Sequence, residues 1–458
     1  MKTQSLQSLK LIVGGALVMS IAASVYGQQK PYSLPGTGQP PGPPPKPAAP
    51  AATAPAATTP AEPGTLEKFF NTDIPDVIAK GKFNFNARLR YEFVDQDNFA
   101  EESHAPTLRT RFGFTTAPLH GFQGMIEGEN VTAIGSYQNY NAAGSNGAGD
   151  RPVVADPETT ELNQVWLSYA YTNFVSAKLG RQRIALDNHR FVGDIGWRQN
   201  MQTFDAATLT GKPVKDLTLF YGYLWDVRRV FGDVSGLPAA NTDFDSNSHL
   251  FNASYSGLKF GTFTGYAYLL DLENAAGFAN SAATYGLSFA GATPLNETVN
   301  LSYRAEFALQ SDYADSPLDY ETEYYNLEIG AFIKPVSFGA GYEVLGSDNG
   351  QGFRTPLATG HAFNGWADVF LATPALGLRD LYAFAQVTLP GKLPLRVVYH
   401  KYDSDSGSAD YGQEFDVQLS RGFGKHWSAL LKYSYYDGED APFAFDVHKL
   451  WAQVEFNF

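Results

Sequence analysis

From Lys82 onward, apolar and polar residues alternate with a period of two. In the first such segment Phe83, Phe85, Ala87, Leu89, Tyr91 and Phe93 fall on one side, and Asn84, Asn86, Arg88, Arg90 and Glu92 on the other. Successive side chains of a strand point to opposite faces, so this period predicts a strand whose two faces meet different surroundings. The same pattern returns over residues 299–309 and 325–333. It closes the chain, with Leu450, Ala452, Val454, Phe456 and Phe458 set against Gln453, Glu455 and Asn457. Helical spacing fits none of these segments.

The connections carry a second rhythm. Short turns are expected around 117–121, 171–174, 212–216, 256–259, 293–297, 334–335, 390–392 and 422–425. Between them lie longer, Asp/Asn/Gly/Ser-rich segments around 95–106, 134–161, 184–203, 228–247, 271–282, 311–322, 346–378, 403–411 and 437–446. Eight turns and nine loops join 18 strands, with both ends of the run on the turn side. The expected fold class is therefore all-β: a single transmembrane, antiparallel, up-and-down barrel over residues 82–458, with short periplasmic turns and long extracellular loops. The last strand becomes the eighteenth and must pair with the first, which brings Gln453 and Glu455 beside the row holding Arg88 and Arg90. Eighteen strands leave an aqueous lumen unless something fills it, so inward loops and lumen side chains must form any constriction.

Composition agrees with a barrel in a lipid bilayer. Aromatic residues reach 14% and charged residues only 17%, as expected where one row of every strand meets lipid. Residues 1–27 carry two lysines and then an apolar run of about 13 residues, too short to span a bilayer but suited to a cleaved signal peptide. Residues 28–64 hold 12 of the 27 prolines and read as an extended periplasmic linker, a spacer or a tether to an envelope partner. Residues 65–81 are a lead-in able to form a short helix. A net charge of −14 argues against nucleic acid as partner, and the absence of cysteine removes disulfides, thiolate metal sites and thiol catalysis.

Alternation assigns Arg88, Arg90, Arg109, Arg111, Lys178, Arg304, Arg396 and Lys432 to the lumen, together with Glu92, Glu127, Glu129, Glu306, Glu328, Glu343, Glu414 and Asp416. Arg88, Arg90, Arg109 and Arg111 share a small area of adjacent strands, an expected electropositive stripe with anion preference. These charges could equally brace a wet wall through cross-strand pairs. No metal ligand spacing exists among the eight histidines, and residues 403–407 lack the bidentate Glu of a calcium loop. Glu127 and Glu129 in a wet lumen have no environment to separate them into acid and base, and no nucleophile elbow is present. Neither a cofactor nor a metal is expected.

The third long loop is the most distinctive stretch. Its Leu179-Gly180-Arg181-Gln182, Gly196-Trp197-Arg198-Gln199-Asn200 and Thr203-Phe204-Asp205-Ala206 resemble the alginate-export family of outer-membrane channels. The resemblance implies an 18-stranded monomeric barrel that passes a polyuronate outward through a constriction of Arg and Lys with acidic partners. It points to His189, Arg190, Trp197, Arg198 and Asp205 as constriction-loop residues. Arg181 and Arg183 join the pore lining only if the strand ends or bulges before them, since strict alternation aims both outward. Phe191 and Trp197 are either sugar platforms or loop-packing residues. The function expected is a channel for anionic polysaccharide or sugar acids in the outer membrane of a Gram-negative-type bacterium; the alternatives are a general or small-solute porin, an envelope tether and a barrel enzyme.

Overall fold

The computed structural model describes residues 68–234, 242–274 and 277–458. The expected signal (1–27) and linker (28–64) lie outside the described residues. The lead-in is helical over Phe69–Asp73 and Ile74–Ala79. The amide of Ala117, in the first short turn, donates to Val77 O at 3.0 Å and ties this helix to the periplasmic rim.

Eighteen antiparallel strands follow and close into one sheet. The predicted count holds. The first strand (Lys82–Gln96) pairs with the last (Val447–Asn457), Arg88 opposite Glu455 and Arg90 opposite Gln453, as the seam predicted from the terminal strand requires. The final residue completes the seam: Phe458 N donates to Phe85 O at 2.9 Å, and Phe85 N to Phe458 O at 3.1 Å. A separate small hairpin, Ser347–Asp348 with Gln351–Gly352, decorates the seventh long loop.

The two rows of each strand have different fates. Outward side chains such as Phe83, Leu89, Phe112, Leu327, Ile329 and Leu431 are exposed all round the sheet. So continuous an apolar belt suits hydrocarbon rather than water. The inward row is polar, and its extracellular half is buried.

That burial comes from three loops that turn into the barrel, residues 134–158, 183–202 and 346–377. The hydrophobic core of the protein therefore sits inside the lumen, between loops and wall. Phe191 packs on Tyr266, Tyr324 and Phe353 at centroid distances of 5.1–5.8 Å. Phe370 packs on Tyr402 at 4.6 Å and Phe443 at 5.0 Å. The third and seventh loops also pair with each other through a parallel bridge between Val192 and Leu357.

Candidate functional site in the loop-filled lumen

The arginine row of the first two strands is spent on holding the third loop. Arg88 Nη1 donates to the carbonyls of Gly196, Trp197 and Arg198 at 3.1–3.2 Å, and Arg90 Nη2 to that of Trp197 at 2.6 Å. Arg109 reaches Gln199 O at 3.5 Å, Asn86 Oδ1 at 3.2 Å and Glu455 at 3.3 Å. A loop turned inward carries carbonyls that no strand can satisfy, and guanidinium offers five donors to meet them. The expected anion-preferring stripe is corrected accordingly: Arg88, Arg90 and Arg109 are 5%, 1% and 1% exposed, covered by loop backbone rather than facing open lumen. Arg111 keeps partial exposure, pairs with Glu129 and also reaches Gln199 O at 3.2 Å.

A second set of contacts locks the third loop to the seventh. Arg198 bonds Glu92 of the first strand at 3.0 Å and Asp368 of the seventh loop at 2.9 Å. Arg190 bonds Glu343 at 2.8 Å and Asn364 at 3.0 Å. His361 stacks on Trp197 at 4.1 Å with planes 5° apart. Its Nδ1 lies 2.7 Å from Asp368 Oδ1, and Lys432 Nζ lies 2.7 Å from its Nε2. An ammonium can only donate, so Nε2 accepts and Nδ1–H faces Asp368. Burial pushes the His361 imidazole well below its ordinary value, with Asp368 opposing and Lys432 reinforcing the shift. Burial alone would raise the Asp368 carboxyl, but His361, Lys449 and Arg198 hold it well below the usual carboxylate range. Lys432 itself is boxed by Trp366, Trp197 and Trp451 at 3.8, 4.5 and 5.4 Å.

The seventh loop is capped where it meets the wall. Glu414 Oε1 accepts from the amides of Trp366 and Ala367 and from Ser434 Oγ. Gly365, at φ +85°, makes this approach possible, since a Cβ there would overlap Glu414 and Tyr402.

The remaining candidates divide. Arg181 and Asp205 do not reach the lumen: Arg181 shares the outward row of Ala177 and Leu179, and both its Nε and Nη2 bond Asp205 at 2.8 and 2.9 Å. Asp205 belongs to the sixth strand (Thr203–Gly211) rather than to the loop. Arg183 escapes the parity because the fifth strand (Val175–Gln182) has ended; it bonds Asp194 within the loop at 2.7 Å. Burial opposes the Asp194 carboxylate, yet Arg183 outweighs it and holds the carboxyl below its usual value. Burial also lowers the His189 imidazole. Phe191 and Trp197 are packing residues, 8% and 2% exposed, not sugar platforms.

Arg304 is engaged by Asp187 and Glu306, both at 2.7 Å. Glu127 accepts from Asn163 at 2.7 Å, Gln164 at 2.9 Å and Asn84 at 3.0 Å. Lys178 and Arg396, in contrast, have no ion pair or hydrogen bond among the described residues; each lies over an aromatic ring, Trp166 at 4.5 Å and Phe384 at 5.3 Å. Asp156, Asn364, Asp368 and His361 were missed from sequence. They sit in long polar loops where no periodicity marks which residue turns inward.

The family model for alginate export matches residues 79–330, more than half of the chain. Solved structures share the architecture. Pseudomonas aeruginosa OpdL is 17% identical with a TM-score of 0.60, over 83% of this chain and 99% of that one. Pseudomonas aeruginosa OpdK, solved with vanillate, is 14% identical with a TM-score of 0.62 over 82% and 98%. Acinetobacter baumannii OccAB4 is 13% identical with a TM-score of 0.62 over 84% and 99%. At such identities the likeness carries the fold alone. No curated protein matches the sequence.

Proposed function

The chain belongs to the alginate-export family and is an outer-membrane channel, and on that premise we propose that its cargo is anionic polysaccharide, alginate-like polyuronate or shorter sugar acids. The observation that carries this reading is the balance of partners along the lumen row. Glu129 and Glu306 are buried and paired with Arg111 and Arg304, and the half-buried Glu328 accepts from the Tyr382 hydroxyl at 2.8 Å. Asp416 lacks a hydrogen-bond partner but is fully buried. Lys178 and Arg396 have neither an ion pair nor a hydrogen bond among the described residues, and these two cations are what the lumen row offers an anionic solute. Solvated cation–carboxylate pairs are worth about 0 to 1 kcal/mol each, which suits a substrate that must leave again.

A small-solute porin is the second reading. The inward loops, which take up lumen a polymer would need, favour it. So does OpdK, whose solved structure carries vanillate, itself a small carboxylate.

Release of labelled polyuronate and of a neutral oligosaccharide of equal length from liposomes separates the two. Faster release of the polyuronate is the expected outcome; equal rates would make the protein a general porin.

A further inference from the structure

Of the eight cations that alternation sends into the lumen, six are committed. Arg88, Arg90 and Arg109 hold loop carbonyls, Arg111 and Arg304 are paired with carboxylates, and Lys432 is enclosed by three tryptophans and His361. Lys178 and Arg396 are left. We infer that Lys178 and Arg396 form two acid-selecting stations near the periplasmic end of the lumen, each taking a carboxylate of a uronate as it enters.

Their placement supports the pairing. Lys178 stands four residues beyond the short turn that ends at Phe174, and Arg396 four residues beyond the one that ends at Lys392, each about 13 Å along its strand. They occupy the fifth strand and the fifteenth (Leu393–Asp403), eight strands apart one way round the ring and ten the other, hence nearly opposite walls at one level.

Their surroundings suit a sugar acid. Ser168 and Thr208 lie directly across from Lys178 on its two neighbours, and Gln386 and Gln418 lie across from Arg396. Hydroxyl and amide groups therefore flank each cation where a carboxylate would otherwise cancel it. The aromatic ring beneath each cation fixes its position, and neither cation has a hydrogen-bond or ion-pair partner among the described residues, so a carboxylate meets a prepared donor rather than a mobile one. Among the described residues no ion pair joins Arg396 to Glu328, which is bonded by Tyr382, or to the buried Asp416.

This inference rests on the uronate reading above, and one experiment separates the two. Single channels in planar bilayers are titrated from the periplasmic side with a short linear oligouronate and, separately, with a neutral oligosaccharide of the same length. Wild type should be blocked by the oligouronate at lower concentration; equal block by both overturns the uronate reading itself. Given discrimination in wild type, Lys178→Gln and Arg396→Gln should each raise the half-blocking oligouronate concentration about five-fold, and the double variant more, with neutral block unchanged. Arg421→Gln, which removes a cation on the outward row near the same end, should leave block at the wild-type value. Lys178→Arg and Arg396→Lys should retain discrimination, which keeps the test decisive if a Gln variant fails to fold. A double variant blocked like wild type would overturn the stations while leaving the uronate reading standing.

Discussion

At the residue scale, Arg198 carries more of the lumen's order than its loop position suggests. It is buried, and it joins a strand carboxylate, Glu92, to a loop carboxylate, Asp368, with Asp156 at 3.9 Å. Removing one member of such a set strands buried charge, at a cost of about 3–5 kcal/mol. Arg198→Ala should therefore lower the temperature at which the barrel loses its heat-resistant mobility on SDS gels, and more so than Arg183→Ala, whose side chain is 31% exposed. His361 adds a pH dependence. Its imidazole, pushed low by burial, is neutral when folded, whereas in the unfolded chain it takes up a proton near its ordinary value of about 6.5. The stability it contributes is present above that pH and is lost as the pH falls through it. Thermal unfolding in detergent should then show wild type losing more stability than His361→Gln between about pH 7.5 and 5.

At the scale of elements, two loops behave as one insert. The third and seventh are joined by the Val192–Leu357 bridge, by Gly193 N donating to Leu357 O at 2.9 Å, and by Thr359 N donating to His189 O at 3.0 Å. Val192→Cys with Leu357→Cys, in a chain with no other cysteine, should form a disulfide, because facing residues of a β-bridge meet its Cα spacing. Single-channel conductance should be the same oxidised and reduced; a step on reduction would mean that the loops move apart during conduction. Gly365→Ala should displace the tip of the seventh loop, since αL backbone costs a non-glycine residue about 1–2 kcal/mol and the new Cβ overlaps Glu414. Limited proteolysis within 346–377 reads that displacement.

The strands were legible because their period is local: residues two apart report the same face whatever the rest of the chain does. Loop burial is not local. Nothing near Arg88 announces that the carbonyls of residues 196–198 will cover it, and nothing in Asp368 or His361 marks them as lock residues. The contrast of Arg181 with Arg183 shows the boundary. One follows the parity of its strand to the outer face; the other lies one residue past the strand's end and turns in.

At the scale of the whole molecule, a chain of net charge −14 offers a solute two lumen cations, Lys178 and Arg396, that have neither an ion pair nor a hydrogen bond among the described residues. Most of its charged lumen side chains serve the architecture, and selection falls to the few that lack partners. The reversal potential of wild-type channels under a potassium chloride gradient tests this most directly. Two such cations in the conducting path predict a potential of the sign set by chloride passing more readily than potassium. A potential showing preference for potassium would contradict it.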